Sequence, residues 1–366
     1  MRLAALKTIV ALGLAALSAV SASAQDITLG AVLPLTGPSA SIGEDQRRGI
    51  ELAQDRINAA GGLLGRKLRV IVEDSGSRAL TAMDAAKKLA TIDKVPLVIG
   101  EYSSGVTIPI GQYLVKEGVV HVNVGSSSPK IRAIGPLSVS VIGLDDVSSK
   151  FAAADVYALK LRKAAFVGPN NAYGQGFAEA FKKNFEAQGG QVVASVLYAE
   201  GQSTYRRELQ QAARATPDVY VYTAYGQEAA VINREAFDLG LNKATWYAIY
   251  QTMCVGDTPA QVVAGQLGME VNTIGPDGRS YEEAYRKRYR ENFRSAYSGY
   301  AYDGVMLAAA AIRQAGSADP AKLWAAMAQV GQRFDGVTGT IELDKDGQRT
   351  AQPYLRTRFQ DGVQTR

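Results

Sequence analysis

Four short apolar runs between Asp26 and Val124 each stop at a small polar loop, and an amphipathic stretch separates each from the next. This recurrence limits the fold more than any other feature. The apolar runs are Asp26 to Leu33, Lys67 to Glu73, Val95 to Ile99 and Val119 to Val124. Helical spacing fills the intervals at about Gly43 to Ala60, Ala79 to Ile92 and Val106 to Glu117. Ser41 and Glu44 have the spacing of a capping box for the first helix. Gly61-Gly62 ends that helix and Gly118 ends the third. Strands joined by helical crossovers with short loops lie parallel, so this half reads as an α/β, doubly wound parallel sheet.

In such sheets ligands bind at the carboxyl ends of the strands. Two consecutive strands here end in serine-rich loops. The first is Gly100-Glu101-Tyr102-Ser103-Ser104-Gly105, which runs into a helix, and the second is Gly125-Ser126-Ser127-Ser128-Pro129. A strand, a polar loop and a helix N-terminus together form an anion cradle, because free N–H groups and the positive end of the helix dipole meet there. Ser103, Ser104, Ser126 and Ser127 are candidates to hold a carboxylate, and each also suits a turn or a cap.

A second α/β unit begins at Ala164. Its strands are Ala164 to Val167, Gln191 to Tyr198, Val219 to Thr223 and Thr245 to Ile249. Phe177, Phe181 and Phe185 recur every four residues and form a core stripe. Tyr173, Tyr225 and Tyr250 stand at strand ends, and with Tyr102 they supply an aromatic wall for an apolar or planar ligand. Beyond Gly268 helices dominate, followed by two β-like runs, Val337 to Leu343 and Tyr354 to Phe359. These late elements lack partners of their own. They are expected to complete both lobes, with the chain crossing between lobes more than once.

The N-terminus stands apart. Arg2 and Lys7 precede the apolar run Ile9 to Leu17, and Ala22-Ser23-Ala24 offers a cleavage site, so residues 1–24 read as a secretory signal peptide. Without Arg2 and Lys7, 38 basic and 35 acidic residues remain, a net charge of +3 too mild and scattered for nucleic acid. Tyr281, Tyr285 and Tyr289 alternate with Arg286, Lys287, Arg288 and Arg290, as expected of a helix with one buried aromatic and one solvated basic face. The single cysteine, Cys254, forms no internal disulfide.

Catalytic constellations are missing. The single histidine, His121, lies in an apolar strand and reads as a core residue. With one Cys and one His, neither a zinc site nor a Cys–His nucleophile pair can be built. There is no Walker-type loop and no G-x-S-x-G elbow, and Asp344-Lys345-Asp346-Gly347 reads as a hairpin turn rather than a calcium loop. A binder without cofactor or metal is expected, not an enzyme.

The order of motifs resembles the periplasmic leucine/isoleucine/valine-binding protein family, the substrate-binding proteins of branched-chain amino acid ABC transporters. The matching stretches are Ile27–Gly43, Asp55–Gly65 (Asp-Arg-Ile-Asn-Ala-Ala-Gly-Gly-Leu-Leu-Gly), Val98–Pro109, Val122–Pro129, Gly143–Asp146, Asn171–Gly176, Tyr222–Glu228 and Thr338–Asp346. The resemblance implies a type I periplasmic binding protein fold, with two lobes joined by a three-crossing hinge. It places lobe 1 at 25–143 plus 273–351 and lobe 2 at 144–272 plus 352–366. By position, Ser104 and Ser127 with the amides near Gly125 hold a ligand carboxylate. Tyr173 and Tyr225 reach in from lobe 2, Asp145 lies near the hinge, and Ile42 falls where the family often has an aromatic residue.

The departures concern specificity. Amino acid binders of the family carry an acidic residue after the Thr245–Ile249 strand for the α-ammonium, whereas this chain has Tyr250-Gln251-Thr252. Asp145 or Glu101 is the substitute expected if an ammonium is bound, and otherwise the ligand is an aromatic or oxo carboxylate or an amide. The resemblance implies a monomeric periplasmic receptor of a Gram-negative bacterium that delivers a branched-chain or other apolar amino acid to the permease of an ABC importer. A sensory binding module of the same fold is the alternative.

Overall fold

In the computed structural model, residues 25–271, 278–292, 296–360 and 363–365 are described. The segment read as a signal peptide lies outside them. Among the described residues no helix is long and apolar enough to cross a membrane.

The first sheet holds β1 (Ile27–Leu33), β2 (Leu68–Asp74), β3 (Leu97–Gly100), β4 (Val120–Asn123), β5 (Ser138–Gly143) and β13 (Gln348–Arg349), in the order β2-β1-β3-β4-β5-β13. All five pairings are parallel. The connecting helices are α1 (Ala40–Ala59), α2 (Ala79–Lys87, continued by a wider turn over Lys88–Ile92) and α3 (Ser104–Lys116). The expected capping box is not formed: α1 begins at Ala40, which leaves Ser41 inside the helix, and Glu44 instead pairs with Arg47 and Arg48. β5 and the helix after it, α4 (Asp145–Ala158), went unread in the sequence because serine and valine alternate in the strand without a long apolar run.

The second sheet holds β6 (Lys163–Pro169), β7 (Gln191–Tyr198), β8 (Val219–Tyr222), β9 (Thr245–Ile249) and β10 (Leu267–Val271) in the parallel order β7-β6-β8-β9-β10. Antiparallel β14 (Tyr354–Gln360) and β15 (Val363–Thr365) extend it. Its helices include α5 (Ala172–Glu186), α6 (Arg206–Arg214), α7 (Gly226–Asp238) and the short α8 (Gln251–Val255) and α9 (Ala260–Val263). Phe177, Phe181 and Phe185 are fully buried on α5 and stacked, with centroids 6.1 and 5.2 Å apart, as expected of a core stripe.

The late helices α10 (Gly278–Tyr289), α11 (Tyr297–Ala315) and α12 (Pro320–Val330), and a small hairpin of β11 (Phe334–Gly336) and β12 (Gly339–Ile341), join the first lobe. α11 lies on α1 so closely that a Cβ at Gly49 would sit 2.1 Å from the Ser298 carbonyl. The Asp344–Gly347 turn closes a tight reversal, with Leu343 bridged antiparallel to Arg349. The chain passes between sheets at Gly143–Asp145 and again between β13 and β14. The stretch that leads from β10 back to α10, 272–277, lies outside the described residues.

Candidate functional site between the lobes

The carboxyl ends of β3 and β4 bring the two serine loops together. The Ser128 N–H donates to Ser104 Oγ at 3.2 Å, and among the described residues the Ser104 hydroxyl proton meets no acceptor. Ser104 opens α3. The Val106 and Thr107 N–H groups both go to the Ser103 carbonyl, so those of Ser104 and Gly105 are the helix-end donors still open to an anion. Gly125 is a close-approach position, because a Cβ there would lie 2.7 Å from Tyr102 Cα.

Ser126 is used inside the protein. Its hydroxyl donates to the Tyr102 carbonyl at 3.0 Å and meets Thr107 Oγ1 at 2.6 Å, while its N–H goes to Asn123 Oδ1 at 2.8 Å. His121 is likewise internal. Nε2 donates to the Gly100 carbonyl at 2.6 Å, so Nδ1 accepts from the Ser138 hydroxyl at 2.8 Å, and burial lowers its pKa to about 4. A neutral ring thus ties β3, β4 and β5 together just below the loops. Glu101 braces the first loop by accepting the Ser75 hydroxyl (2.6 Å) and the Ser103 N–H (2.7 Å), and burial pushes its pKa up to about 7.

Lobe 2 meets these loops directly. Ser128 Oγ donates to the Ala172 carbonyl at 2.7 Å, at the start of α5 beside Tyr173. Asn171 caps that helix, and the Tyr173 hydroxyl pairs with Thr223 Oγ1 at 2.9 Å. The four tyrosines singled out in the sequence are linked by ring contacts, and of them Tyr102 and Tyr225 line a cavity. Tyr225 lies 5.9 Å from Tyr173 and, edge-on, 5.7 Å from Tyr102 of lobe 1. Tyr250 joins through Tyr297 at the start of α11, whose ring is 6.4 Å from Tyr250 and 4.9 Å from Tyr102. The Tyr102 hydroxyl reaches across to Met253 Sδ at 2.6 Å.

A cleft of about 360 Å³ opens between the lobes, lined by Ile42 and Tyr102 on one side and Tyr225, Thr252, Met253 and Asp257 on the other. A wider outer chamber of about 690 Å³ continues from it past Ser103, Arg78, Glu200 and Glu228.

Gln251 does not join this wall. It is fully buried and its Nε2 donates to the Gln266 carbonyl at 2.9 Å, which turns it into lobe 2. A carboxylate nevertheless reaches the segment after β9. Glu270, at the end of neighbouring β10, accepts the Thr252 N–H at 3.0 Å. Linear spacing hid it, because the two residues meet through the parallel register of β9 and β10. Met253 and Tyr297 were missed for the same reason: nothing local marks them as neighbours of Tyr102.

Asp145, first residue of α4, lies fully buried where the chain first crosses. Its N–H donates to the Ser127 carbonyl at 2.6 Å and Ser148 donates to Oδ1 at 3.0 Å. Burial raises its pKa well above the usual carboxylate range, against the opposing effect of the Ser127 and Ser148 hydroxyls.

This architecture has known counterparts. Residues 26–363 match the family model described as periplasmic binding protein. The chain belongs to that family. A Leu/Ile/Val-binding protein homolog from Brucella melitensis biotype 1 is 30% identical over 96% of this chain and 95% of its own length. Among solved structures, the leucine binding protein LivK of Thermotoga maritima superposes with a TM-score of 0.85 at 23% identity, over 93% of this chain and 97% of its own. An ABC transporter solute binding protein from R. palustris, in complex with benzoate, superposes at 0.82 with 20% identity, over 93% and 95% of the two chains. This periplasmic binding protein therefore has the type I fold expected from its sequence.

Proposed function

We propose that the protein is the solute-binding receptor of an ABC importer and that it closes its lobes over a small organic carboxylate. The bodies that move are, in this reading, 25–143 with 273–351 and 144–272 with 352–366. The observation that carries the reading is the pair of serine loops joined through Ser104 and Ser128, with Ala172-Tyr173 and Tyr225 of the other lobe against them. Ser104, Ser127 and the first N–H groups of α3 receive the carboxylate, and Tyr102, Tyr173, Tyr225 and Ile42 pack on the ligand body. Binding bridges the lobes and shifts an open–closed equilibrium toward the closed form that a membrane permease recognises.

An apolar amino acid is the first ligand class, in keeping with the relatives named for leucine, isoleucine and valine. An aromatic carboxylate is the second, favoured by the tyrosine wall and by Gln251 being turned away from it. The test is a thermal-shift screen of protein refolded free of carried-over ligand, against amino acids, aromatic acids and amides. A ligand at about 100 times its Kd adds about 2.7 kcal/mol, a shift of several degrees. Small-angle scattering with the hit should show compaction. A hit that leaves the scattering profile unchanged would sink the closure mechanism.

A further inference from the structure

Gln25 takes part in the fold only through its carbonyl. Arg66 Nε donates to that carbonyl, and the other end of the guanidinium donates to the Asp26 carbonyl at 3.0 Å. The Ile27 N–H donates to the Lys67 carbonyl at 2.8 Å, and from Ile27 onward β1 is paired with β2. The chain is therefore anchored at the Gln25 carbonyl and fixed beyond it. The rest of Gln25 is exposed, and among the described residues neither its N–H nor its carboxamide makes a hydrogen bond. It lines an open cavity of about 500 Å³, with Arg66, Asp93, Lys94 and Glu117 around it. The cavity lies at the amino ends of β1, β3 and β4, the end of the first sheet opposite the serine loops.

Gln25 is also the residue that cleavage after Ala22-Ser23-Ala24 leaves at the amino terminus. An α-amine ordinarily titrates at about 7.7–8.0, so at neutral pH part of it is the neutral nucleophile. In an amino-terminal glutamine that nucleophile and the side-chain carboxamide belong to one residue, and their encounter closes a five-membered ring. We propose that Gln25 of the exported protein is a modification site that closes to pyroglutamate. The amine nitrogen bonds to Cδ, the Cδ–Nε2 bond breaks, and the amide nitrogen leaves as ammonia with a proton from the amine. The product is a neutral lactam, and no oxidant, reductant or cofactor is consumed. Closure swings only the amine and the side chain, the two parts of Gln25 that the fold leaves free. The Arg66 contacts to the Gln25 and Asp26 carbonyls survive it. The lactam removes the terminal positive charge and leaves β1, which lies between β2 and β3, with no free amine for an aminopeptidase to grip. The modification rests on reading residues 1–24 as a signal peptide and is independent of the ligand that the cleft takes.

Mass spectrometry of the full chain, expressed with export and purified from the periplasm, tests this. The protein should begin at residue 25, and the fraction lighter by one ammonia should rise to completion on incubation at neutral pH. The rate in the folded protein should match that of the same chain unfolded in urea, because nothing in the fold holds the reacting groups. Pyroglutamyl aminopeptidase should then remove one residue and expose Asp26. Gln25→Asn, which could close only a strained four-membered ring, should keep its ammonia and be trimmed by a general aminopeptidase that spares the wild type. A chain that begins at Gln25 and keeps its ammonia would overturn the modification. A folded protein that closes far more slowly than the unfolded chain would also overturn it, by showing that the fold restrains Gln25. A chain that begins at another residue would overturn the signal-peptide boundary and the modification together. The carboxylate reading of the cleft stands or falls separately, by the ligand screen.

Discussion

Ser104 has its oxygen occupied by the Ser128 N–H, and among the described residues its proton meets no acceptor, the arrangement of a donor held ready for an anion. Ser104→Ala should weaken ligand binding by about 1–3 kcal/mol, the scale of a hydrogen bond to a charged group. Tyr173→Ala should do the same through lost packing, and titration calorimetry of both variants checks the pair. Ser126→Ala should behave differently, because its hydroxyl ties Tyr102 to Thr107. Its main effect should be on melting temperature. At Gly125 even one methyl is too much. With Tyr102 Cα 2.7 Å from the added carbon, Gly125→Ala must push the two loops apart, and binding should fall by at least as much as in Ser104→Ala.

At the scale of elements, the loop after β3 is held by an acid that titrates within the physiological range. Glu101 has its pKa raised from 4.5 to about 7 by burial, so the folded protein holds this proton more tightly than the unfolded chain. Its contribution to stability is complete below pH 4.5 and is lost as pH rises through about 7, a change of about 3 kcal/mol. Denaturation of wild type and Glu101→Gln across that range should show the variant gaining on wild type as pH rises. A constant difference would mean that the carboxyl is already ionised in the folded protein. The serine loops, the Phe stripe and the alternating strands were legible because each is written in consecutive residues. β5 was not, since its buried apolar residues, Val139, Val141 and Ile142, are interleaved with serines that bond across strands through Asn123 and Gln348, and no long apolar run marks it.

For the whole molecule, Tyr102 is the bridge. Its ring packs on Tyr297 of its own lobe and on Tyr225 of the other, and its hydroxyl reaches Met253. Aromatic pairs of this kind contribute about 0.5–1.5 kcal/mol beyond their buried area. Tyr102→Ala should therefore shift ligand-free protein toward the open form, seen as a larger radius of gyration in small-angle scattering. The ligand would then bear more of the cost of closure, and apparent affinity would fall with the closed fraction. An unchanged radius would show that closure does not depend on this contact.

The sequence by itself determined the parallel α/β class, the two serine loops and the tyrosines at strand ends, because strand, loop and helix signals are local in the chain. Tertiary structure decided which of those residues face one another. It turned Gln251 into lobe 2, brought Glu270 to Thr252 through strand register, spent Ser126 on the loop itself and set Gln352 and Tyr354 against Gly143 at the first crossing. Those choices depend on register and on chain crossings that bring residues two hundred positions apart into contact, and no local pattern encodes them.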